Sequence, residues 1–199
     1  MSDSNSKLNA YILAGGKSSR IGKDKGLLEL QKKSLIEHVI SRIKPAVNTI
    51  CIVSSNQEYA RFGYNLVRDN LQGYGPAGGI QAALTHSSDE KIFVISCDMP
   101  FVKSAAIKFL VKSSAGYDIT IPMYKGKLEP LFGVYSTACA KAWEKHMKNG
   151  ILKLQDLIET FNFQEIRVDS NPLFDDKLFT NLNTQTDFLN ALIRLEHGH

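Results

Sequence analysis

The sequence predicts an α/β fold in a single domain, with a mostly parallel sheet covered by helices on both faces. Three observations point to it. Short apolar runs of the buried-strand type alternate with helix-period segments along the chain, the pattern of parallel strands joined by crossover helices. The 199 residues are 43% hydrophobic and 22% charged, enough for one sizeable core. No internal repeat, low-complexity segment or linker divides the chain.

The elements follow in order. Asn9–Leu13 is the first strand, and a Gly-rich stretch from Gly15 to Gly26 leaves it. Ser34-Leu35-Ile36-Glu37 is a capping box opening a helix to about Ile43, which Pro45 stops. Thr49–Val53 reads as a strand, Gln57–Phe62 as a short helix and Leu66–Arg68 as a third strand. Gly73–Gly79 punctuates the chain before a helix through about Leu84. Ile92–Ser96 is a buried strand ended by Asp98-Met99-Pro100, Ala105–Val111 a helix and Ile119–Met123 a strand. Lys125-Gly126-Lys127 turns the chain into a further strand, Leu131–Tyr135. Helices at Ala138–Met147 and Leu152–Thr160, a strand at Gln164–Val168 and a last helix after Asn183 complete the order. Residues 1–7 read as a disordered polar tail and 8–194 as the domain. Residues 195–199 read as a second tail, in part an added tag, whose histidines receive no role.

Composition narrows the function classes. The 24 basic and 20 acidic residues leave a formal charge of +4, which suits an anionic small substrate. No dense Lys/Arg run with interleaved aromatics supports a nucleic-acid groove. No apolar run approaches the ~18 residues of a membrane span. Cys51, Cys97 and Cys139 are far apart and fit reduced thiols of a cytoplasmic protein, neither a zinc knuckle nor a disulfide framework.

Four signals carry chemistry. The first is Leu13 to Gly26, where four glycines and four cations follow a predicted strand. Glycines let the backbone turn sharply and bring N–H groups to an anion. Arg20 and Lys25 supply the cations that neutralise a polyphosphate. The spacing is that of neither a P-loop, since Asp24 follows Gly22-Lys23, nor a dinucleotide fingerprint, since Gly15 and Gly16 are adjacent. A basic surface turn is the competing reading. The second is Asp98, a carboxylate just beyond a buried strand, suited to Mg2+ with phosphate oxygens or, alone, to turn chemistry. The third, Gly73–Gly79, either lets a flat base lie against the backbone or is a tight loop into a helix. The fourth is Phe179 to Thr184, where Asn181 and Asn183 alternate on one side of an extended segment or cap a helix. Trp143, His146 and Met147 read as helix core or surface, and His38 and His86 lack partners at catalytic spacing.

In this order the four signals resemble the molybdenum cofactor guanylyltransferase (MobA) family, from about Asn9 to Asp187. Leu13-Ala14-Gly15-Gly16 with Arg20, Gly22, Asp24 and Lys25 is similar to the signature of the wider nucleotidyltransferase superfamily. Asp24 to Leu30, Gly75-Pro76 with Gly78, Cys97 to Pro100 and Asn181 to Thr184 are more particular to the guanylyltransferases. The resemblance implies a three-layer, Rossmann-like nucleotidyltransferase fold that moves GMP from GTP to molybdopterin with release of pyrophosphate. It places GTP on Leu13, Ala14, Gly15, Gly16, Lys25, Ser54, Asp69, Gly75, Pro76 and Asp98, and Mg2+ on Asp98. The pterin falls near Lys153, Asn181 and Asn183, and Arg20, Lys25 and Asp98 form the catalytic set. Implied partners are GTP, molybdopterin and other molybdenum cofactor biosynthesis proteins, without nucleic acid or membrane. The chain departs from the family pattern at Ser54, where Asn is usual and Asn56 stands nearby. It departs again in Gly-Pro-Ala-Gly-Gly at 75–79, and at Lys153 where Arg is expected. Rival readings are a cytidylyltransferase, another small-molecule nucleotidyltransferase and a non-catalytic GTP-binding regulator.

Overall fold

A computed structural model describes residues 8–15, 24–69 and 73–180. In chain order it contains β1 (Asn9–Leu13), β2 (Glu29–Leu30), β3 (Lys33–Ser34), α1 (Leu35–Ile43), β4 (Ile50–Val53) and β5 (Asn65–Val67). These are followed by α2 (Gly75–His86), β6 (Lys91–Ser96), α3 (Ser104–Ser113), β7 (Ile119–Tyr124) and β8 (Lys127–Leu128). Last come β9 (Phe132–Ser136), α4 (Ala140–Lys148), α5 (Leu154–Ile158) and β10 (Phe163–Arg167). One-turn or two-turn 3-10 segments at Lys25–Leu27 and Gln57–Phe62 complete the parts that matter for the site. The predicted tails and the helix after Asn183 lie outside the described residues.

The main sheet has the order β10-β7-β9-β6-β1-β4-β5, with β8 beside β7. β1 pairs in parallel with both β4 and β6, β4 with β5, and β10 with β7. β9 runs antiparallel between β6 and β7. The reason is the length of its connection. Parallel neighbours need a crossover of a dozen or more residues, and the chain from β7 to β9 is a tight turn, β8 and three residues.

Alternation along β1 builds the three layers. Ala10 and Ile12 face a core shared with Ile36, Val39 and Ile43 of α1 and Ile107 and Leu110 of α3. Tyr11 and Leu13 face the opposite core, with Ile80 and Leu84 of α2, Trp143 and Met147 of α4 and Leu157 of α5. Period-two side-chain alternation against helices on both faces produces this division. Among the described residues no helix is long and apolar enough to cross a membrane.

The capping box is in place. The Glu37 carboxylate accepts from the Ser34 N–H at 2.7 Å and from the Ser34 hydroxyl at 2.6 Å. Two details differ from the sequence reading. Glu29–Leu30 and Lys33–Ser34 form a small antiparallel hairpin turned by Gln31 and Lys32, both at positive φ (50° and 63°). And α2 begins at Gly75, so Gly78 and Gly79 lie inside the helix rather than in a loop before it.

Candidate active site

Three parallel strands end at one level: Leu13 of β1 pairs with Val53 of β4 and with Ser96 of β6. From β1 the chain proceeds to β4 and β5 on one side and returns to β6 on the other. Such a switch point opens a crevice at the carboxyl ends of the strands. A cleft of about 360 Å³ lies there, bordered by Leu13, Gly15, Ser54, Asp69, Gly75 and Pro76. Its size falls in the usual small-ligand range of ~300–1,000 Å³.

One wall is the start of α2. Gly75, at φ +55°, takes a backbone conformation that favours glycine and swings the chain into the helix. Pro76 follows in the first turn, where its missing N–H costs nothing. The helix opens on the cleft with its unsatisfied N–H groups and the positive end of its dipole. Two contacts fix its approach. Trp143 Nε1 donates to the Ala77 carbonyl at 3.1 Å. Gly79 packs on Leu13, where a Cβ would make an ordinary van der Waals contact at 3.4 Å from the leucine side chain.

Beside the cleft stands the charged pair. Asp98 follows β6, is buried, and accepts from the Ser96 hydroxyl at 2.6 Å through Oδ1. Its Oδ2 lies 3.7 Å from Lys25 Nζ. Ser96 both borders the cleft and holds Asp98, so the carboxylate is oriented from the cleft's own edge. Cys97, between them in sequence, is pressed into the core; burial, then the Asp98 charge, pushes its thiol well above the ordinary value. It remains a protonated packing group rather than a nucleophile.

Two carboxylates stand where a divalent ion could meet the cleft. Asp98 offers hard oxygen, and the Glu129 carboxylate, buried at the start of the β9 connection, feels the Asp98 charge. Burial pushes the Glu129 carboxyl above its usual range against the pull of Lys127, 2.9 Å away. Among the described residues no group of three or more His, Cys, Asp or Glu is arranged to hold a metal. The Asp98 carboxylate, buried and fixed by Ser96, is the kind of hard oxygen donor that suits a divalent ion held by one or two carboxylates together with phosphate oxygens and water.

The sequence-predicted residues divide. Leu13, Gly15, Ser54, Asp69, Gly75 and Pro76 meet at the cleft, and Lys25 and Asp98 face each other beside it. Ala14 is buried beneath, its N–H bonded to the Val53 carbonyl at 2.9 Å, so it extends the sheet. Lys153 is exposed at the start of α5, 3.0 Å from Asp156, and does not border the cleft. Gly16, Arg20, Asn181 and Asn183 lie outside the described residues. Asn56, near Ser54 in sequence, does not border the cleft. Its Oδ1 accepts from the Glu58 N–H at 3.0 Å and its Nδ2 donates to Asp24 at 3.4 Å. Sequence reasoning missed Ser96, Glu129 and Tyr59. A polar residue directly before the Cys-Asp pair was the one signal available for Ser96.

Known proteins resemble this chain over nearly its whole length. Residues 10–165 match the model of the MobA-like NTP transferase domain. The chain is 35% identical to "Probable molybdenum cofactor guanylyltransferase" of Carboxydothermus hydrogenoformans, over 91% of this chain and 93% of that protein. It is 33% identical to a protein of the same name from Pelotomaculum thermopropionicum, over 94% and 93%. Among solved structures it superposes on molybdopterin-guanine dinucleotide biosynthesis protein A from Archaeoglobus fulgidus with a TM-score of 0.82 and 30% identity, over 95% of this chain and 99% of that one. A cleft at the switch point, a Lys–Asp pair beside it and these matches lead to one assignment: the chain belongs to the MobA-like NTP transferase family.

Proposed function

We propose that the chain transfers GMP from GTP to molybdopterin, forming the molybdopterin guanine dinucleotide cofactor and releasing pyrophosphate. The observation that carries this reading is the Lys25 ammonium held 3.7 Å from the buried Asp98 carboxylate at the rim of the cleft. The guanylyl and pterin parts are supported by the names of relatives that match over nine-tenths of the chain.

In the reaction the terminal phosphate of the acceptor attacks the α-phosphorus of GTP in line. The new P–O bond forms as the bond to the β-phosphate oxygen breaks, and the electron pair leaves with pyrophosphate. A phosphate monoester is already a nucleophile, so the protein's work is positioning and charge stabilisation. The nucleoside lies in the cleft between Leu13–Gly15 and the first turn of α2. Lys25 meets phosphate oxygens and counters charge on the leaving side, joined by Arg20. Asp98, with Ser96 fixing one oxygen, would hold Mg2+, which when bound would supply electrostatic stabilisation of the phosphate oxygens. Asn181, Asn183 and Lys153 belong to the pterin side of the same proposal. So do a cytoplasmic location and contact with other molybdenum cofactor biosynthesis proteins.

The test is pyrophosphate release by purified protein with molybdopterin, Mg2+ and either GTP or CTP. Release with GTP alone is expected. Release with CTP alone would transfer the assignment to a cytidylyltransferase, and tight GTP binding without any release would point to a regulator that kept the nucleotide cleft.

A further inference from the structure

Lys25 sits in a single 3-10 turn, Lys25–Leu27, closed by the Leu27 N–H to Asp24 carbonyl and Leu28 N–H to Lys25 carbonyl bonds, each 3.1 Å. One turn of this kind has little stiffness of its own. Its direction has to be imposed from outside, and the structure shows by what. Asp24 caps the turn: Oδ1 accepts from the Gly26 N–H at 3.3 Å and also from the Tyr59 hydroxyl, while Oδ2 accepts from Asn56 Nδ2 at 3.4 Å. Tyr59 comes from the 3-10 segment Gln57–Phe62 beyond β4 and is fully buried. The other side of the turn rests on the same residue. A Cβ at Gly26 would collide with the Tyr59 hydroxyl and stand 3.2 Å from both the Tyr59 ring and Cys97 Sγ.

Tyr59 therefore touches the turn at both residues that flank Lys25 in sequence. It bonds the cap before it and backs the glycine after it, and Cys97 completes the seat one residue before Asp98. We propose that Tyr59 is a positioning residue for the transfer reaction: through Asp24 and Gly26 it fixes the turn that aims the Lys25 ammonium at the phosphates beside Asp98. Burial pushes the phenol far above its ordinary range, with the Cys97 and Asp24 neighbours adding to the effect. The hydroxyl thus remains a donor to Asp24 over the whole working pH range. A ring at 59 is also needed for packing, since it lies 6.1 Å from the Phe62 ring. The informative change is therefore Tyr59→Phe, which removes the hydroxyl and keeps the ring.

The proposal rests on the reading of Lys25 as the cation that meets the nucleotide phosphates, so the experiment is a double-mutant cycle on GTP affinity. GTP binding is measured by calorimetry on the full chain for wild type, Tyr59→Phe, Lys25→Ala and the double variant, with melting temperature in parallel. The expected result is an affinity lowered about fivefold to tenfold by Tyr59→Phe, with the melting temperature within a few degrees of wild type. Lys25→Ala lowers affinity further, and Tyr59→Phe adds nothing in that background. Wild-type affinity in Tyr59→Phe, or the same factor repeated on top of Lys25→Ala, would overturn the proposal, the latter marking Tyr59 as a packing residue only. Wild-type affinity in Lys25→Ala would instead remove the reading of Lys25 itself. The two failures are thus distinguishable.

Discussion

The two halves of the sheet edge are built differently. On the β1-β4-β5 side the cleft is bordered by backbone and small side chains, with Gly15, Gly75, Pro76 and Gly79 among them. Its shape is set by buried packing: Trp143 holds α2, Gly79 abuts Leu13, and Tyr59 seats the turn that carries Lys25. On the β7-β10 side, the segment after β10 is tied down by surface charge. Lys125 Nζ lies 2.6 Å from Asp176, Lys103 Nζ lies 2.6 Å from Asp175, and the Lys125 N–H donates to Asp169 at 2.7 Å. Beneath those pairs Phe174 and Leu178 are buried. The nucleotide side is preorganised by steric fit, whereas the other side is a small apolar seat closed by exposed ion pairs. Surface pairs of that kind are screened by salt and contribute little each.

That contrast can be broken most forcefully at the pair between the halves. Asp98→Ala or Lys25→Ala is expected to lower the rate of GMP transfer by ~10²–10³ while circular dichroism and melting temperature stay close to wild type. Wild-type turnover in either variant would remove that residue from the mechanism. Next in size is Gly26→Ala. The added methyl meets Tyr59 and Cys97 with no free space, so an overpacking cost of about 1–3 kcal/mol and a clear fall in GTP affinity are expected, read by urea unfolding and calorimetry. If Gly26→Ala binds GTP like wild type, the nucleotide side is less rigid than its packing implies.

Smaller effects belong to the surface pairs and the capping box. Lys103→Ala is expected to cost no more than about 1 kcal/mol, because both side chains keep about two-fifths of their surface in water (37% and 40%). Raising salt should shrink the difference further, and a salt-independent loss would contradict the comparison. At α1, the bonds from the Ser34 hydroxyl and N–H hold the Glu37 carboxyl below its usual range. A folded-state value lower than the unfolded one adds stability above the ordinary glutamate range, and that stability is lost as pH falls through the lowered value. Unfolding of wild type and Glu37→Gln should therefore differ at neutral pH by an amount near the low end of ~0.5–2 kcal/mol. The two should converge in acid.

How much of this was legible in the sequence depended on whether the signal was local. The capping box at Ser34 and Glu37 and the strands at Asn9–Leu13 and Ile92–Ser96 are read from neighbouring residues, and the structure has them. Lys125-Gly126 was visible as a turn because Gly126 (φ +74°) is a glycine where one is favoured. Gln31-Lys32 makes a similar two-residue turn without a glycine, so its hairpin gave no signal. The start of α2 was hidden for the opposite reason. Gly78 and Gly79 argue against helix by propensity, yet both are buried inside α2, Gly79 packed on Leu13 of β1. In the site, Lys25 and Asp98 stood out as charges after strand ends. Tyr59 did not, because its bond to Asp24 joins residues 35 apart in sequence, and nothing local marks one buried tyrosine from another.

The most direct test of the central claim is a single turnover with GTP labelled at the α-phosphate, molybdopterin and Mg2+, comparing wild type with Asp98→Asn. The expected result is label moving straight from GTP into the pterin dinucleotide, with none on the protein and little movement in the variant. Label trapped on the protein, or transfer by Asp98→Asn at the wild-type rate, would contradict direct transfer at the Lys25–Asp98 site.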